Sequence, residues 1–110
     1  MREPMSGMSV LVRTFGESPL VKVIDFFLTF RAFDYSKSQV ASETEVSRIT
    51  IEKIFKRLVA NKIIIKTREV GMAQLYKLNL QNSNVKALIE MDMKISSAAA
   101  RENLKRAVSV

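Results

Sequence analysis

The chain has 110 residues, 47% of them hydrophobic, with two prolines and three glycines, a composition that supports one folded domain and excludes a disordered one. It contains no cysteine and no histidine, which removes disulfides, thiolate or imidazole metal sites, and cysteine or histidine catalysis together. The formal net charge is +7, and it is clustered: between Val46 and Lys77 the eight basic residues Arg48, Lys53, Lys56, Arg57, Lys62, Lys66, Arg68 and Lys77 face only Glu52 and Glu69.

Such a field suits a polyanion, although a solvated basic face satisfies the charge alone equally well. Residues 1–17 read as an N-terminal arm in which Met8–Phe15, rich in β-branched and apolar residues, predicts a short strand ended by Gly16. No block of about 20 apolar residues occurs, and the start of the chain lacks the apolar core of a signal peptide. A cytoplasmic, nucleoid-associated protein with no membrane contact is the expectation.

Ser18 then caps a helix with Pro19 at its first position, running to about Phe30. Its polar stripe, Lys22, Asp25 and Thr29, is only about 60° wide at 100° per residue. So apolar a helix needs cover on more than one side, and a second subunit is expected to supply part of it at Leu20 and Phe27. Phe33-Asp34-Tyr35 is a connector, and Ser36 caps a second helix, Lys37–Glu43, with Val40 and Ala41 inward.

After a turn at Thr44-Glu45, Ser47 caps a third helix, and Val46 is placed to staple against Ile51. Ile51, Ile54 and Leu58 fall on one face, with Ile49, Glu52, Lys53 and Lys56 opposite. Asn61 is the expected left-handed cap. Ile63-Ile64-Ile65 opens a strand continued by Lys66-Thr67-Arg68, Glu69–Met72 supplies a turn with Gly71 at positive φ, and Ala73–Asn79 returns. From Asn82 or Ser83 a helix of about 24 residues carries Val85, Leu88, Ile89, Met91, Ile95, Ala98, Ala99, Leu104 and Val108 at near-heptad spacing. It is too long for so small a domain to cover, so Leu88, Met91, Ile95, Ala98 and Ala99 are expected to pair with a twofold-related copy.

The segment Lys37–Ile54 resembles a helix-turn-helix: a small Ala41 permits close crossing of two helices, the turn follows, and Val46 and Ser47 begin the next helix. Glu45 departs from the glycine often found at that turn. With Phe55–Ile64 and the hairpin bearing Lys66, Arg68, Gly71 and Tyr76, residues 18–90 are similar to the small winged helix-turn-helix transcription regulators, particularly those of archaea and their plasmids and viruses. The fold expected is mainly α with a small β-hairpin (α+β): a winged helix-turn-helix over residues 18–80 and a dimerisation helix over 82–110.

The resemblance implies that the third helix enters the major groove and that the hairpin, as a wing, follows the backbone or minor groove. Carried onto this chain, Arg48, Ile49, Thr50 and Lys53 become base readers, with Arg48 suited to guanine and Ile49 to a thymine methyl. Ser47, Lys56, Arg57, Ser36, Lys37 and Ser38 suit phosphate oxygens, and Lys66, Arg68 and Gln74 serve the wing.

Other readings stay open at this point. Arg57 pairs with Glu52 or meets phosphate; Ile49 meets the groove or packs; Phe55 and Tyr76 support the core or stack on bases. The methionines are gap-fillers, with Met91 and Met93 assigned to the interface before any ligand. The partner expected is double-stranded DNA bound by a homodimeric repressor. Partition, replication or chromosome coating would use the same module, and a protein-interaction role is a third reading. No cofactor is expected, the scattered acids and glycines assemble no catalytic or phosphate-binding motif, and an effector at the apolar interface is neither required nor excluded.

Overall fold

The computed structural model describes residues 10–108. In chain order these form α1 (Val10–Phe15), α2 (Pro19–Thr29), β1 (Tyr35–Ser36), α3 (Lys37–Thr44), α4 (Arg48–Ala60), β2 (Ile64–Val70), β3 (Ala73–Leu78) and α5 (Ser83–Val108). The strands make one antiparallel sheet in the order β1-β3-β2.

The first element corrects the sequence expectation. The described part of Met8–Phe15 is the helix α1, while Met8 and Ser9 lie outside the described residues. Leu11 and Val12 are buried where α1 packs against α2 and α5. Helical neighbours offer a groove for an apolar helix face and no free strand edge, and that packing overrides the local β preference. Gly16, at φ 97°, turns the chain out of the helix as its N–H bonds the Val12 carbonyl at 2.7 Å.

Ser18 caps α2 as its side chain accepts from the Val21 N–H, and Pro19 occupies the first turn. Val23, Phe26, Phe27 and Leu28 are buried. Their cover comes from within the chain, where α1, α3, α4, α5 and β3 all pack on α2. Phe27, expected at a subunit interface, is only 1% exposed and meets Phe55 of α4 at 5.8 Å between ring centroids. It belongs to the interior.

The connector after α2 holds the strand β1, which carried no sequence signal. Tyr35 pairs with Tyr76 and Ser36 with Leu75. Ser36 also caps α3 through a capping box, accepting from the Gln39 N–H at 3.2 Å while its own N–H donates to Gln39 Oε1 at 2.8 Å. Glu45 ends α3 in the left-handed conformation at φ 59°, the position where related turns favour glycine.

Ser47 caps α4, whose buried face is Ile51, Ile54, Phe55 and Leu58. The left-handed residue after α4 is Lys62, at φ 58°, and not Asn61, which stays at φ −92°. Asn61 uses its side-chain amide instead, donating to the Arg57 carbonyl at 2.9 Å. The strand β2 extends further toward the tip than the sequence predicts, while β3 starts at Ala73 as expected, leaving Gly71 (φ 61°) and Met72 as a two-residue turn.

Asn82 starts α5 by accepting from the Asn84 and Val85 N–H groups, and its amide reaches back to the Asn61 and Lys62 carbonyls. Val85 is fully buried, Leu88, Ile89, Met91 and Ile95 are half-buried, and Ser96, Ser97, Ala98, Ala100 and Arg101 are exposed. Ala99 lies in α5, its side chain outside those described. The helix has 26 residues, a length of about 39 Å. No helix among the described residues is long and apolar enough to cross a membrane.

Candidate nucleic-acid interface

The buried face of α4 decides which residues it presents. At about 100° per residue, Ile51, Ile54, Phe55 and Leu58 cluster on one side, so Ile49, Lys53, Lys56 and Ala60 point directly away, with Arg48 and Arg57 on the two flanks. Ile49 is 73% exposed. A β-branched apolar side chain standing in water between cations has gained nothing from folding, and no core residue covers it.

Lys53, Lys56 and Arg57 are exposed and have no ion-pair partner among the described residues. Arg57 is not paired with Glu52, because Glu52 is taken by Lys37 of α3, 2.8 Å away. That contact holds the Glu52 carboxyl below its usual range, through the Lys37 hydrogen bond first and then the charges of Lys37 and Arg48.

Arg48 makes the second link between α3 and α4, its guanidinium donating to the Ser38 hydroxyl at 3.0 Å. That acceptor is neutral, and the nearby Glu52 carboxylate, on which the Arg48 charge acts, is bonded to Lys37. Ser47 donates to the Thr50 hydroxyl at 2.9 Å while accepting from the Thr50 N–H, and Thr50 is half-buried. The structure therefore brings Lys37 and Ser38 at the start of α3 against Glu52 and Arg48 of α4, while Ser36 and Ser47 each cap their own helix.

The wing residues are arranged differently. Lys66 pairs with Glu69 at 2.6 Å and lowers its pKa, and Gln74 accepts from the Tyr76 hydroxyl at 3.0 Å. Arg68 places Nε 3.0 Å and Nη2 3.2 Å from the two carboxylate oxygens of Asp34, which also accepts from the Thr67 hydroxyl at 2.6 Å. Asp34 is pulled down to about 2, chiefly by the Arg68 hydrogen bonds and then by Thr67, and the Arg68 pKa is raised in return.

Asp34 and Thr67 are the site residues that sequence reasoning missed. They lie 33 positions apart, and no local pattern links them. Phe55 and Tyr76 are buried edge-to-face at 5.1 Å, so they support the core beneath the sheet and offer no stacking platform. Among the described residues no cluster of three acidic side chains is placed to hold a metal ion.

No family model matches the sequence, and no curated protein does. Solved structures do. An apo form of a ZitR double mutant from Lactococcus lactis aligns with a TM-score of 0.62 at 10% identity, over 81% of this chain and 67% of that one. A further structure of that mutant gives 0.57 at 12% identity, over 80% and 66%. HlyU from Vibrio cholerae gives 0.53 at 18% identity, over 83% and 92%. The chain thus spans about two thirds of the length of ZitR and nearly all of HlyU. The shared architecture is the winged helix: α3 and α4 are the helix-turn-helix, β2 and β3 the wing, and the fold is α+β.

Proposed function

We propose that this chain is a sequence-specific transcription regulator of double-stranded DNA, acting as a homodimer and repressing by occupying a promoter. The observation that carries the reading is the solvent face of α4: Ile49, Lys53 and Lys56 point away from the core, flanked by Arg48 and Arg57, neither of which forms an ion pair among the described residues. A helix of that chemistry offers bidentate guanine readout, apolar contact for a thymine methyl, and cations for phosphate. The winged-helix fold adds support, since the outward face of α4 is exposed and open to a duplex.

Dimerisation is proposed through α5. Leu20, Leu88 and Met91 pack against the core of their own chain and keep only part of their surface for a partner. Ile95 and Ala98, beyond that contact, are the stronger interface positions, and Leu88, Met91, Ile95 and Ala98 repeat at spacings of three and four along one helix side. A twofold pair of α4 helices would then read half-sites about one helical turn apart, roughly 34 Å.

The test is selection of genomic fragments by the purified protein, with footprinting of those enriched. A discrete, pseudo-palindromic footprint supports the dimeric regulator. Protection that spreads along DNA without a boundary would turn the reading toward partition or coating, and a bounded footprint without twofold symmetry would remove the dimer.

A further inference from the structure

Besides its strand pairing and the packing of Tyr76 on Phe55, the wing is tied to the body by a side-chain clasp of specific construction. Asp34 stands immediately before β1, whereas Thr67 and Arg68 lie in β2; β3 runs between them. The Asp34 side chain and those of Thr67 and Arg68 therefore meet over β3, reaching from backbones about two strand spacings or ~10 Å apart.

Neighbouring side chains in a regular strand point to opposite faces, so Thr67 and Arg68 could not both reach one carboxylate. They do so because the register shifts between Lys66, opposite Tyr76, and Arg68, opposite Leu75, leaving Thr67 as the extra residue of a bulge. The same register sets Arg68, Leu75 and Ser36 in one row across the three strands. Asp34 lies two residues before Ser36, diagonally across β3 from Arg68, and the Leu75 of that row is outside the main core cluster yet only 9% exposed. The Asp34 side chain is itself only 16% exposed. A loose surface ion pair has none of this: no bulge made for it, no third donor, no sheltered acid.

We infer that Asp34 is a positioning residue for DNA binding: by holding Thr67 and Arg68 it sets the angle of the β2–β3 wing against α4, and Arg68 serves this clasp and not a phosphate. The inference rests on the DNA-binding reading for its consequence, but the clasp itself is testable without DNA. An arginine already engaged by both oxygens of a carboxylate has little left for a phosphate unless the pair is broken. The wing tip, where Met72 is fully exposed, is what the clasp aims.

Two measurements decide it. The chain has no cysteine, so Met72→Cys carrying a nitroxide reports the wing tip alone. In DNA-free protein, Asp34→Ala and Arg68→Ala should each raise label mobility, and the reversed pair Asp34→Arg with Arg68→Asp should restore part of the order. Asp34→Asn, which keeps the side-chain shape, serves if the alanine variant folds poorly. Unchanged mobility in these variants overturns the clasp whatever the protein binds.

On a selected DNA fragment, Asp34→Ala and Arg68→Ala should each weaken binding about fivefold, and the double variant by no more than either, because they remove one coupled unit. The salt dependence should stay the same. If Asp34→Ala tightens binding, or Arg68→Ala lowers the salt slope by about one contact, Arg68 meets phosphate and Asp34 competes with it. If the wild type binds no DNA, the regulator reading fails while the label still judges the clasp.

Discussion

Lys37 holds Glu52 at 2.8 Å, joining the first turn of α3 to the acid on the outward side of α4. Glu52 is the one acidic residue in that helix, and Lys37 masks its charge. Glu52→Gln frees Lys37 and deletes the negative charge. It should tighten binding to all DNA sequences several-fold and steepen the salt dependence by about one phosphate contact. Fluorescence anisotropy at several salt concentrations checks this. Weaker binding would place Glu52 on a base, accepting from a cytosine amino group.

On the DNA-binding proposal, Arg48 and Lys56 divide the work of α4. Arg48→Ala should cost about 1–3 kcal/mol on the preferred site and relax selectivity at one base position, whereas Lys56→Ala weakens all sequences alike. Competition between matched and scrambled duplexes separates the two. Equal profiles for both variants would contradict the assignment.

Phe27 is interior, and the consequence is measurable. Phe27→Ala removes a ring packed on Phe55 and should cost about 3–5 kcal/mol of stability. The loss should be the same at every protein concentration, because it arises within one chain. Ile95→Asp should act oppositely: little effect on the folded chain at low concentration, but loss of dimer by sedimentation. A concentration-dependent loss for Phe27→Ala would return it to the interface.

Much of this architecture was readable before any coordinates, and for local reasons. Ser18-Pro19, Ser36 and Ser47 each state a helix start, because a cap bonds N–H groups of its own first turn. The division of α4 into apolar and basic faces follows from helical periodicity. The features that were not readable depend on partners far along the chain. Val10–Phe15 has a strand-like composition, and only packing on α2 and α5 makes it helical. β1 is two residues long and exists by pairing with β3. Likewise, Arg68 looks like a wing cation until Asp34, 34 positions earlier, is found beneath it.

The Asp34 clasp also sets a pH dependence. Its carboxyl lies at about 2 in the fold, below its ordinary 3.8, chiefly through Arg68. A depressed carboxylate contributes stability that is fully present above the ordinary value and is lost as pH falls through the folded one. Mobility of a label at Met72→Cys should therefore stay flat from neutral pH to about 4 and rise between about 4 and 2. Asp34→Asn should abolish that acid-dependent rise. Glu52 and Glu69, also held low by lysines, shift in the same direction, so the Asp34→Asn comparison isolates the clasp.

The central claim, that the outward face of α4 meets duplex DNA, is tested most directly by the affinity of the purified protein for a selected fragment as a function of salt. With six to ten phosphates neutralised by a dimer, affinity should fall by about three to five orders of magnitude between 50 and 200 mM salt, and Lys53→Ala with Lys56→Ala should flatten the slope. Binding that ignores salt, or a slope unchanged when these two lysines are removed, would contradict it.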